Sequence, residues 1–389
     1  MGNPTHNAPV RRPAPTAAVS SIVAAASKSA PAPPLGGTEV EFTKPKPEPA
    51  ASAPNTVLGQ GLDIGTMFIV GAKQVGDHVR FTSVRDAFFT LEYTDLLGEM
   101  MIKTGVDHVR KGDDIVVIGD KSIEFANTFR AELRRPLQDG VISPKERNAF
   151  GIIELILERA IGESAVPGET CYYSVPAAAI DKEESNVVFH EGMFGRFVEK
   201  LGYTPKSLNE AEAIAYSELS NPEDNLTGLA LSFGAGMVNA CFIHLGVPYL
   251  KFAVARGGDW IDKKSASATN SKVAKITQMK ESGVIDISAT DGWEQNAIAM
   301  HYATLIKYVV RNLHNKLGEE QLPEQKDPNK VVISGGTSMI RGFRQMFEGE
   351  FSKLQWPFTV SSFVPAKDPM TAVANGCLAA ALLAEKKKG

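Results

Sequence analysis

Three short glycine-containing turns hold the residues whose types and spacing could bind a phosphate. In the first turn, the strand-like segment 57–62 leads into Asp63, which is followed by Ile64-Gly65-Thr66. An aspartate at a strand end can hold hydrated Mg²⁺, because this ion keeps its waters and needs only one or two carboxylates. Backbone N–H groups of the Gly-Thr turn can face phosphate oxygens. A structural turn between two strands explains this motif equally well.

Two later turns have the same character. Ser232-Phe233-Gly234-Ala235-Gly236 consists mostly of small residues, which allow the backbone to approach a phosphate closely. Ser334-Gly335-Gly336-Thr337 follows an apolar strand-like run, and a helix is expected to begin directly after its glycines. The adenosine part of a nucleotide could lie across this Gly-Gly, near the helix N-terminus. An ordinary hairpin turn and a plain strand-to-helix connection are the structural alternatives.

Acidic residues accompany two further segments. Asn209 could cap a helix, which places Glu210 in its first turn. There the carboxylate either favours the helix dipole or reaches a cleft and orients a water molecule. Another glycine turn, Arg256-Gly257-Gly258-Asp259, follows the second phosphate-like turn.

The elements that must position these residues follow an α/β pattern. Strand–turn–strand segments at 57–72 and 229–243 predict two hairpins of the same kind, and hence an internal duplication with two similar lobes. Apolar residues at helical spacing predict helices over 145–161, 210–219, 294–317 and 371–385. Further strands are predicted at 115–118, 171–175 and 330–333. This order indicates sheets covered by helices.

Composition and charge exclude several classes of protein. With 43 % hydrophobic and 22 % charged residues the chain is typical of a globular protein, and a formal net charge of -4 gives no basic field to attract nucleic acid. The three cysteines have no CxxC spacing, so we expect neither a zinc site nor a disulfide framework, and a cytoplasmic location fits best. No run approaches the roughly 20 apolar residues that span a bilayer, and the mildly apolar segment 17–26 makes a poor signal peptide.

Residues 1–55 are rich in proline, alanine and serine. Such a segment has too little apolar bulk to offset its ordering entropy, which predicts a disordered tail. The alternative is a tether or a docking site for a partner protein. Its many prolines disfavour an amphipathic membrane helix, so membrane contact has no support beyond the short apolar stretch at 17–26.

The order of these motifs resembles the actin-like ATPase superfamily, which includes actins, heat-shock chaperone ATPases and sugar kinases. The resemblance covers about residues 57 to 384 and is nearest to bacterial actins of the MreB and magnetosome-filament type. Arg135–Ile142 is similar to their RP-x-x-DGVI segment, and 272–281 is similar to the helix that contacts the nucleotide's sugar and base.

This resemblance implies an α/β fold of two lobes, with duplicated ribonuclease-H-like cores and a nucleotide cleft between them. The first lobe would span 56–205 together with part of a C-terminal helix at 368–385, and the second lobe would span 206–367. The implied ligands are ATP or ADP with Mg²⁺, and the implied partner is the protein itself in a head-to-tail filament.

The resemblance also assigns roles by position. Asp63 would hold the metal and its waters, and Glu210 would position the attacking water. The remaining residues would contact the nucleotide: Gly65 and Thr66 in the first turn, Ser232, Gly234, Ala235 and Gly236 in the second, Gly258 and Asp259 in the third, Lys280 near the ribose or base, and Gly335, Gly336 and Thr337 beside the adenosine.

Two positions depart from the family pattern. Ser232 stands where an aspartate usually helps to hold the metal, and Met237 stands where a threonine usually helps to place the water. A serine brings no charge to Mg²⁺, and a thioether cannot donate a hydrogen bond. We therefore expect hydrolysis to be weakened more than binding. A weak filament-forming ATPase, a nucleotide-gated scaffold and a sugar kinase are the alternatives, and the kinase has no base candidate beyond Glu210 and Asp259.

Overall fold

Strands and helices alternate along the chain in the computed structural model, which describes residues 56–146, 149–182, 187–324 and 327–388. The strands, in chain order, are β1 (Thr56–Ile64), β2 (Phe68–Val75), β3 (His78–Arg85), β4 (Phe88–Glu92), β5 (His108–Lys111), β6 (Asp114–Ile118), β7 (Leu137–Gln138), β8 (Val141–Ile142), β9 (Thr170–Val175), β10 (Thr204–Asn209), β11 (Gly228–Phe233), β12 (Val238–His244), β13 (Val247–Val254), β14 (Asn329–Ser334) and β15 (Val360–Pro365). The helices are α1 (Asp95–Lys103), α2 (Lys121–Phe129), α3 (Ala149–Ile161), α4 (Val187–Lys200), α5 (Glu210–Glu218), α6 (Gly258–Thr269), α7 (Val273–Glu281), α8 (Trp293–Glu319), α9 (Phe343–Phe351) and α10 (Ala372–Lys386).

The first predicted hairpin forms the centre of a five-stranded sheet with the order β10-β9-β1-β2-β3. β1, β2 and β3 are antiparallel neighbours, whereas β9 and β10 run parallel to β1. The core of this sheet includes Leu62, Ile69 and Ile153. We call the part of the molecule around this sheet the first lobe.

The second predicted hairpin forms the centre of another five-stranded sheet with the order β13-β12-β11-β14-β15. Its pairing repeats that of the first sheet: three antiparallel strands, then two parallel ones. Every residue of β11 is buried, as expected for a central strand covered on both faces. This repeat confirms the predicted duplication and the two-lobed α/β fold, and we call the part around this sheet the second lobe.

Two smaller features belong to the first lobe. A three-stranded sheet, β4-β6-β5, packs with α1 and α2 around a core that contains Phe89, Met101 and Val117. The second feature is the hairpin of β7 and β8, whose turn residues Asp139 and Gly140 both have positive φ. An Asp-Gly pair suits such a turn, because both central residues of a tight hairpin need that conformation.

The helices lie close to their predicted bounds, with one correction. We expected a helix to begin directly after Gly335-Gly336, but the structure has only a short 3₁₀ turn at Gly336–Met339. Ile340 then returns to an extended conformation, and α9 begins at Phe343 after Gly342. The chain therefore changes direction before the α-helix starts.

The C-terminal helix α10 packs on the first lobe's β1 and on α5, which precedes the second lobe. Its buried residues Val373 and Cys377 share a cluster with Ile214 and Val332. The predictions for the segment 1–55 lie outside the described residues. No helix in the described part of the chain is long and apolar enough to cross a membrane.

Candidate functional site

A cavity of about 430 Å³ is lined by residues from both lobes. Asp63, Ser232 and Ser334 lie at the carboxyl ends of β1, β11 and β14, and Glu210 directly follows β10. In α/β sheets, ligands commonly bind at this end of the strands. Every residue that the sequence assigned to nucleotide or metal lines this cavity: Asp63, Gly65, Thr66, Glu210, Ser232, Gly234, Ala235, Gly236, Gly258, Asp259, Lys280, Gly335, Gly336 and Thr337.

The first turn is fixed by hydrogen bonds on both sides. The Gly65 N–H donates to the Phe68 carbonyl at 3.0 Å, which closes the turn between β1 and β2. The Ser174 hydroxyl donates to Asp63 Oδ1 at 2.9 Å and accepts from the Ile64 N–H at 2.7 Å. A single serine on the parallel neighbour β9 thus orients the aspartate that ends β1.

Glu210 begins α5, and its position follows from the cap of that helix. The Asn209 side chain accepts hydrogen bonds from Ala211 N–H at 3.1 Å and Glu212 N–H at 3.3 Å, which confirms the predicted cap. The Asn239 amide on β12 donates to Glu210 Oε2 at 2.9 Å. Asn239 in turn accepts the N–H of Ala177 at 2.9 Å, so its amide orientation is fixed from the other side.

Two carboxyl groups of the cavity have raised pKa values. Burial raises the pKa of Asp63 to about 6, although the Ser174 hydrogen bond opposes this. Burial and then the charge of Asp63 raise the pKa of Glu210 to about 8, against hydrogen bonds from Asn239 and Ser232. The two groups therefore repel each other, and a cation beside them would stabilise both ionised forms.

The second turn and the third are bonded to each other. The N–H groups of Gly258 and Asp259 donate to the carbonyls of Gly234 and Ala235 at 3.0 and 2.8 Å. The Thr337 hydroxyl also donates to the Gly234 carbonyl, at 2.9 Å. The N-terminus of α6 and the turn after β14 thus support the backbone of the second phosphate-like turn.

Two glycines are required by close backbone contacts. Gly335 has a φ of +91°, and a Cβ there would lie 2.4 Å from the Phe233 carbonyl oxygen. A Cβ on Gly236 would lie 2.5 Å from both the Gly140 nitrogen and the Thr66 hydroxyl. Contacts this short are not possible, so the close approach of the second turn to Thr66 and Gly140 requires that residue 236 have no side chain.

An ion pair joins the lobes beside this contact. Arg135 Nη2 lies 2.9 Å from Asp259 Oδ2, and the two side chains are 25 % and 9 % exposed. Asp86 is fully buried near Arg135 and accepts the Leu137 N–H at 3.1 Å, while its Oδ1 has no hydrogen-bond partner among the described residues. Burial holds the pKa of Asp86 well above its usual range, although Arg135 opposes this.

Sequence reasoning missed several residues of the site. Arg85, Phe68, Glu281 and Met370 also line the cavity. Asn239 and Ser174 orient the two carboxylates, and Arg135 pairs with Asp259. Arg135 and Glu281 had a sequence signal, because they lie in the two segments, Arg135–Ile142 and 272–281, that resemble bacterial actins. The contacts of Arg85, Asn239 and Ser174 arise from the tertiary fold.

The residues present fit a magnesium nucleotide. Within the described part of the chain no group of three or more acidic, histidine or cysteine side chains could hold a metal by itself. Mg²⁺ is commonly bound by one or two carboxylates together with substrate phosphates. Asp63 ends β1 inside the cavity, and burial raises its pKa, so a cation beside it would stabilise its ionised form; it is the side chain that suits this ion.

The duplicated sheets, with a cavity at the carboxyl ends of their strands, define an actin-like fold. Three solved structures share the fold. A MamK double helical filament has a TM-score of 0.61 at 19 % identity and covers 84 % of this chain and 98 % of its own. MreB 5 of Spiroplasma citri bound to AMPPNP has a TM-score of 0.61 at 14 % identity, and the match covers 86 % of this chain and 99 % of the MreB 5 chain. An apo pSK41 ParM structure has a TM-score of 0.50 at 14 % identity, and the match covers 86 % of this chain and 99 % of the ParM chain.

The family model matches residues 58–381, and the chain belongs to the Volactin family. No curated protein matches the chain in sequence. The solved structures share too little sequence identity to transfer more than the fold.

The raised pKa of Glu210 predicts a pH dependence of stability without nucleotide and metal. Its folded pKa of about 8 exceeds the ordinary value of 4.5, so the folded state holds the proton more tightly. The stability that this proton provides is present below pH 4.5 and is lost as pH rises to about 8. We expect the Tm in EDTA to fall between about pH 6 and about pH 8 more steeply for the wild type than for Glu210→Gln.

The matched control is Glu223→Gln, which removes an exposed glutamate. It should keep the wild-type slope of Tm against pH. Equal slopes in the wild type and Glu210→Gln would contradict the raised pKa of Glu210.

Proposed function

We propose that this protein is an actin-like cytoskeletal ATPase that binds ATP or ADP with Mg²⁺ and assembles head-to-tail into filaments. The observation that carries the proposal is that every residue assigned by resemblance to nucleotide binding lines one cavity. These residues come from segments that are far apart in the chain, and the fold brings them together. Structures of the same fold add support, since MreB 5 of Spiroplasma citri is bound to AMPPNP and MamK forms a double helical filament.

In this proposal the backbone of three turns binds the phosphates and the adenosine. Gly65 and Thr66 would contact the terminal phosphates from the first lobe, and Gly234 to Gly236 would contact them from the second. Gly335 to Thr337 would border the adenosine, with Lys280 near the ribose. When bound, Mg²⁺ would neutralise phosphate charge, and Asp63 would hold it through its waters.

Glu210 would orient the attacking water through its carboxylate. The hydrogen bond from Asn239 to Oε2 fixes the orientation of this carboxyl group, and Ser232 also hydrogen-bonds it. In the empty cavity the pKa of Glu210 is about 8, mainly because the carboxyl is buried and secondarily because Asp63 is charged. A cation at Asp63 would remove part of that repulsion, and Glu210 would then ionise at a lower pH.

A second candidate is a scaffold of the same fold that binds nucleotide and scarcely hydrolyses it. Ser232 is 4 % exposed and brings no charge to the site. Met237 is 3 % exposed and fills the space beneath Gly140, where a Cβ would lie 2.1 Å from its sulfur. An apolar group therefore occupies a place where a hydroxyl would help to hold water.

Cytoplasmic location and recruitment of a partner protein are also proposals. The first rests on composition. The second concerns residues 1–55, which lie outside the described residues. A co-precipitation with and without residues 1–55 would test the second.

Nucleotide binding can be tested at Gly336, which is exposed to the cavity. Its φ is outside the left-handed region, and the atom nearest to an added Cβ is the mobile Met370 Sδ at 3.2 Å. We expect Gly336→Leu to weaken ATP binding at least about tenfold by filling the ligand's space, with little change in the Tm of the empty protein. Isothermal titration calorimetry with ATP and Mg²⁺ measures this.

Gly349→Leu on α9 is the matched control, since a Cβ there meets no atom within 4 Å and the residue is exposed. It should bind ATP like the wild type. If Gly336→Leu bound ATP normally, the nucleotide would not lie in this cavity.

Assembly can be tested by pelleting and electron microscopy with ATP, with ADP and without nucleotide. A head-to-tail contact is heterologous and does not close, so it builds a filament. We expect nucleotide-dependent pelleting in the wild type and Gly349→Leu, and its loss in Gly336→Leu. A wild-type protein that stays monomeric at high concentration in all three conditions would remove the filament proposal.

The strength of hydrolysis can be tested at Ser232. We expect Ser232→Asp to raise the single-turnover rate of ATP hydrolysis about tenfold, because it adds a charged metal-binding group across from Asp63. It should also lower the Tm in EDTA, because a third carboxyl group then lies near Asp63 and Glu210. Ser232→Asn, of similar size but uncharged, should leave the rate unchanged. A rate that does not rise in Ser232→Asp would favour the non-hydrolysing scaffold.

A further inference from the structure

The cavity wall carries one arginine, Arg85, whose guanidinium is poorly matched to its present partners. The side chain is only 14 % exposed, yet its Nη2 lies 3.6 Å from Glu281 Oε2, beyond hydrogen-bond distance. Nε lies 3.3 Å from Asp120, a residue that is 66 % exposed, and Nη1 faces the Met67 sulfur at 3.1 Å. A guanidinium has five N–H donors, and most of these have no oxygen acceptor among the described residues.

The position of this guanidinium places it beside the first phosphate-like turn. It lies 4.4 Å over the ring of Phe68, the residue whose carbonyl closes the turn at Gly65. Arg85, Met67 and Phe68 all line the cavity. The Arg85 N–H groups that have no oxygen acceptor therefore lie at the edge of the first turn, which is the turn proposed to contact the phosphates.

The excess of acidic residues around the cavity makes the Arg85 guanidinium important for binding an anionic ligand. Four lining residues are acidic and only two are cationic: Asp63, Glu210, Asp259 and Glu281 against Arg85 and Lys280. Lys280 already has two partners: its ammonium lies 2.9 Å from the carboxylate of the buried Asp262 and donates a hydrogen bond to the Gly258 carbonyl at 3.0 Å. Arg85 is thus the cation of the described lining that an entering anion can recruit.

We propose that Arg85 binds the phosphates of the nucleotide, an inference that rests on the proposed nucleotide function. The Arg85 guanidinium extends from β3 towards Glu281 at the end of α7, and so from one lobe to the other. A polyphosphate offers closer and more highly charged oxygens, and guanidinium–phosphate pairs are strong and often bidentate. On binding, Arg85 exchanges Glu281 for phosphate oxygens.

This exchange gives Arg85 and Glu281 opposite effects on affinity. Glu281 competes with the phosphates for the guanidinium, so removing its charge releases Arg85 to the ligand. If the pair served only to bridge the lobes, removing either partner would have the same effect. The two charge-neutral variants therefore distinguish a phosphate-binding residue from a simple bridge.

The experiment compares the affinities of ATP, ADP and adenosine for the full chain by calorimetry with Mg²⁺. We expect Arg85→Gln to weaken ATP binding about ten- to hundredfold and adenosine binding by less than about threefold, because only ATP presents phosphates. ADP should lie between them. Glu281→Gln should bind ATP as tightly as the wild type or more tightly. Arg80→Gln, an exposed arginine on the same strand, is the control and should change neither affinity.

Four outcomes would overturn the inference. An equal loss for ATP and adenosine in Arg85→Gln would show a structural role, and a matching loss of ATP affinity in Glu281→Gln would show a bridge. Unchanged ATP affinity in Arg85→Gln, with normal binding by the wild type, would remove Arg85 alone. A wild type that binds none of the three ligands would overturn the proposed function as well.

Discussion

The ion pair between Arg135 and Asp259 holds the two lobes in register, and the arrangement of the site depends on it. The pair is short and mostly buried, at 2.9 Å with exposures of 25 % and 9 %. Asp259 also donates its backbone N–H to Ala235, so the residue that joins the lobes supports the second turn as well. Loss of Arg135 would leave Asp259 and Asp86 as buried carboxyl groups without their cation, which is a costly state.

If the proposed function holds, packing at the same place explains how nucleotide binding would be kept while ATP hydrolysis is weakened. Gly236 lies against Thr66 and Gly140, and Met237 fills the space beneath the hairpin of β7 and β8. Backbone groups of the turns remain in place whatever the side chain at 237 is. The group that places a water depends on that side chain, and a thioether does not provide a hydrogen-bond donor.

The sequence was sufficient for the two hairpins, the four predicted helices and the glycine turns, because these are local properties. Strand ends at Asp63 and Ser232, the Asn209 cap and the glycines at 335 and 336 follow from residue type and near neighbours. The 3₁₀ turn at Gly336–Met339 could not be predicted, because a strand-to-helix pattern in the sequence does not show which path the chain takes before α9 begins at Phe343. The domain bounds 56–205 and 206–367 stay predictions, although β10, in the first sheet, extends to Asn209.

The side chains that complete the site were beyond the sequence for a common physical reason. Arg85, Asn239 and Ser174 each act on a residue far away in the chain, and nothing in their local patterns marks them. Asn239 is an example: its side-chain amide accepts a hydrogen bond from the N–H of Ala177 in the first lobe and donates one to Glu210. The segment that carries Ala177 also pairs with β13, where the Ile180 N–H donates to the Ala253 carbonyl at 3.0 Å. The orientation of the Glu210 carboxylate therefore depends on hydrogen bonds that cross between the two lobes.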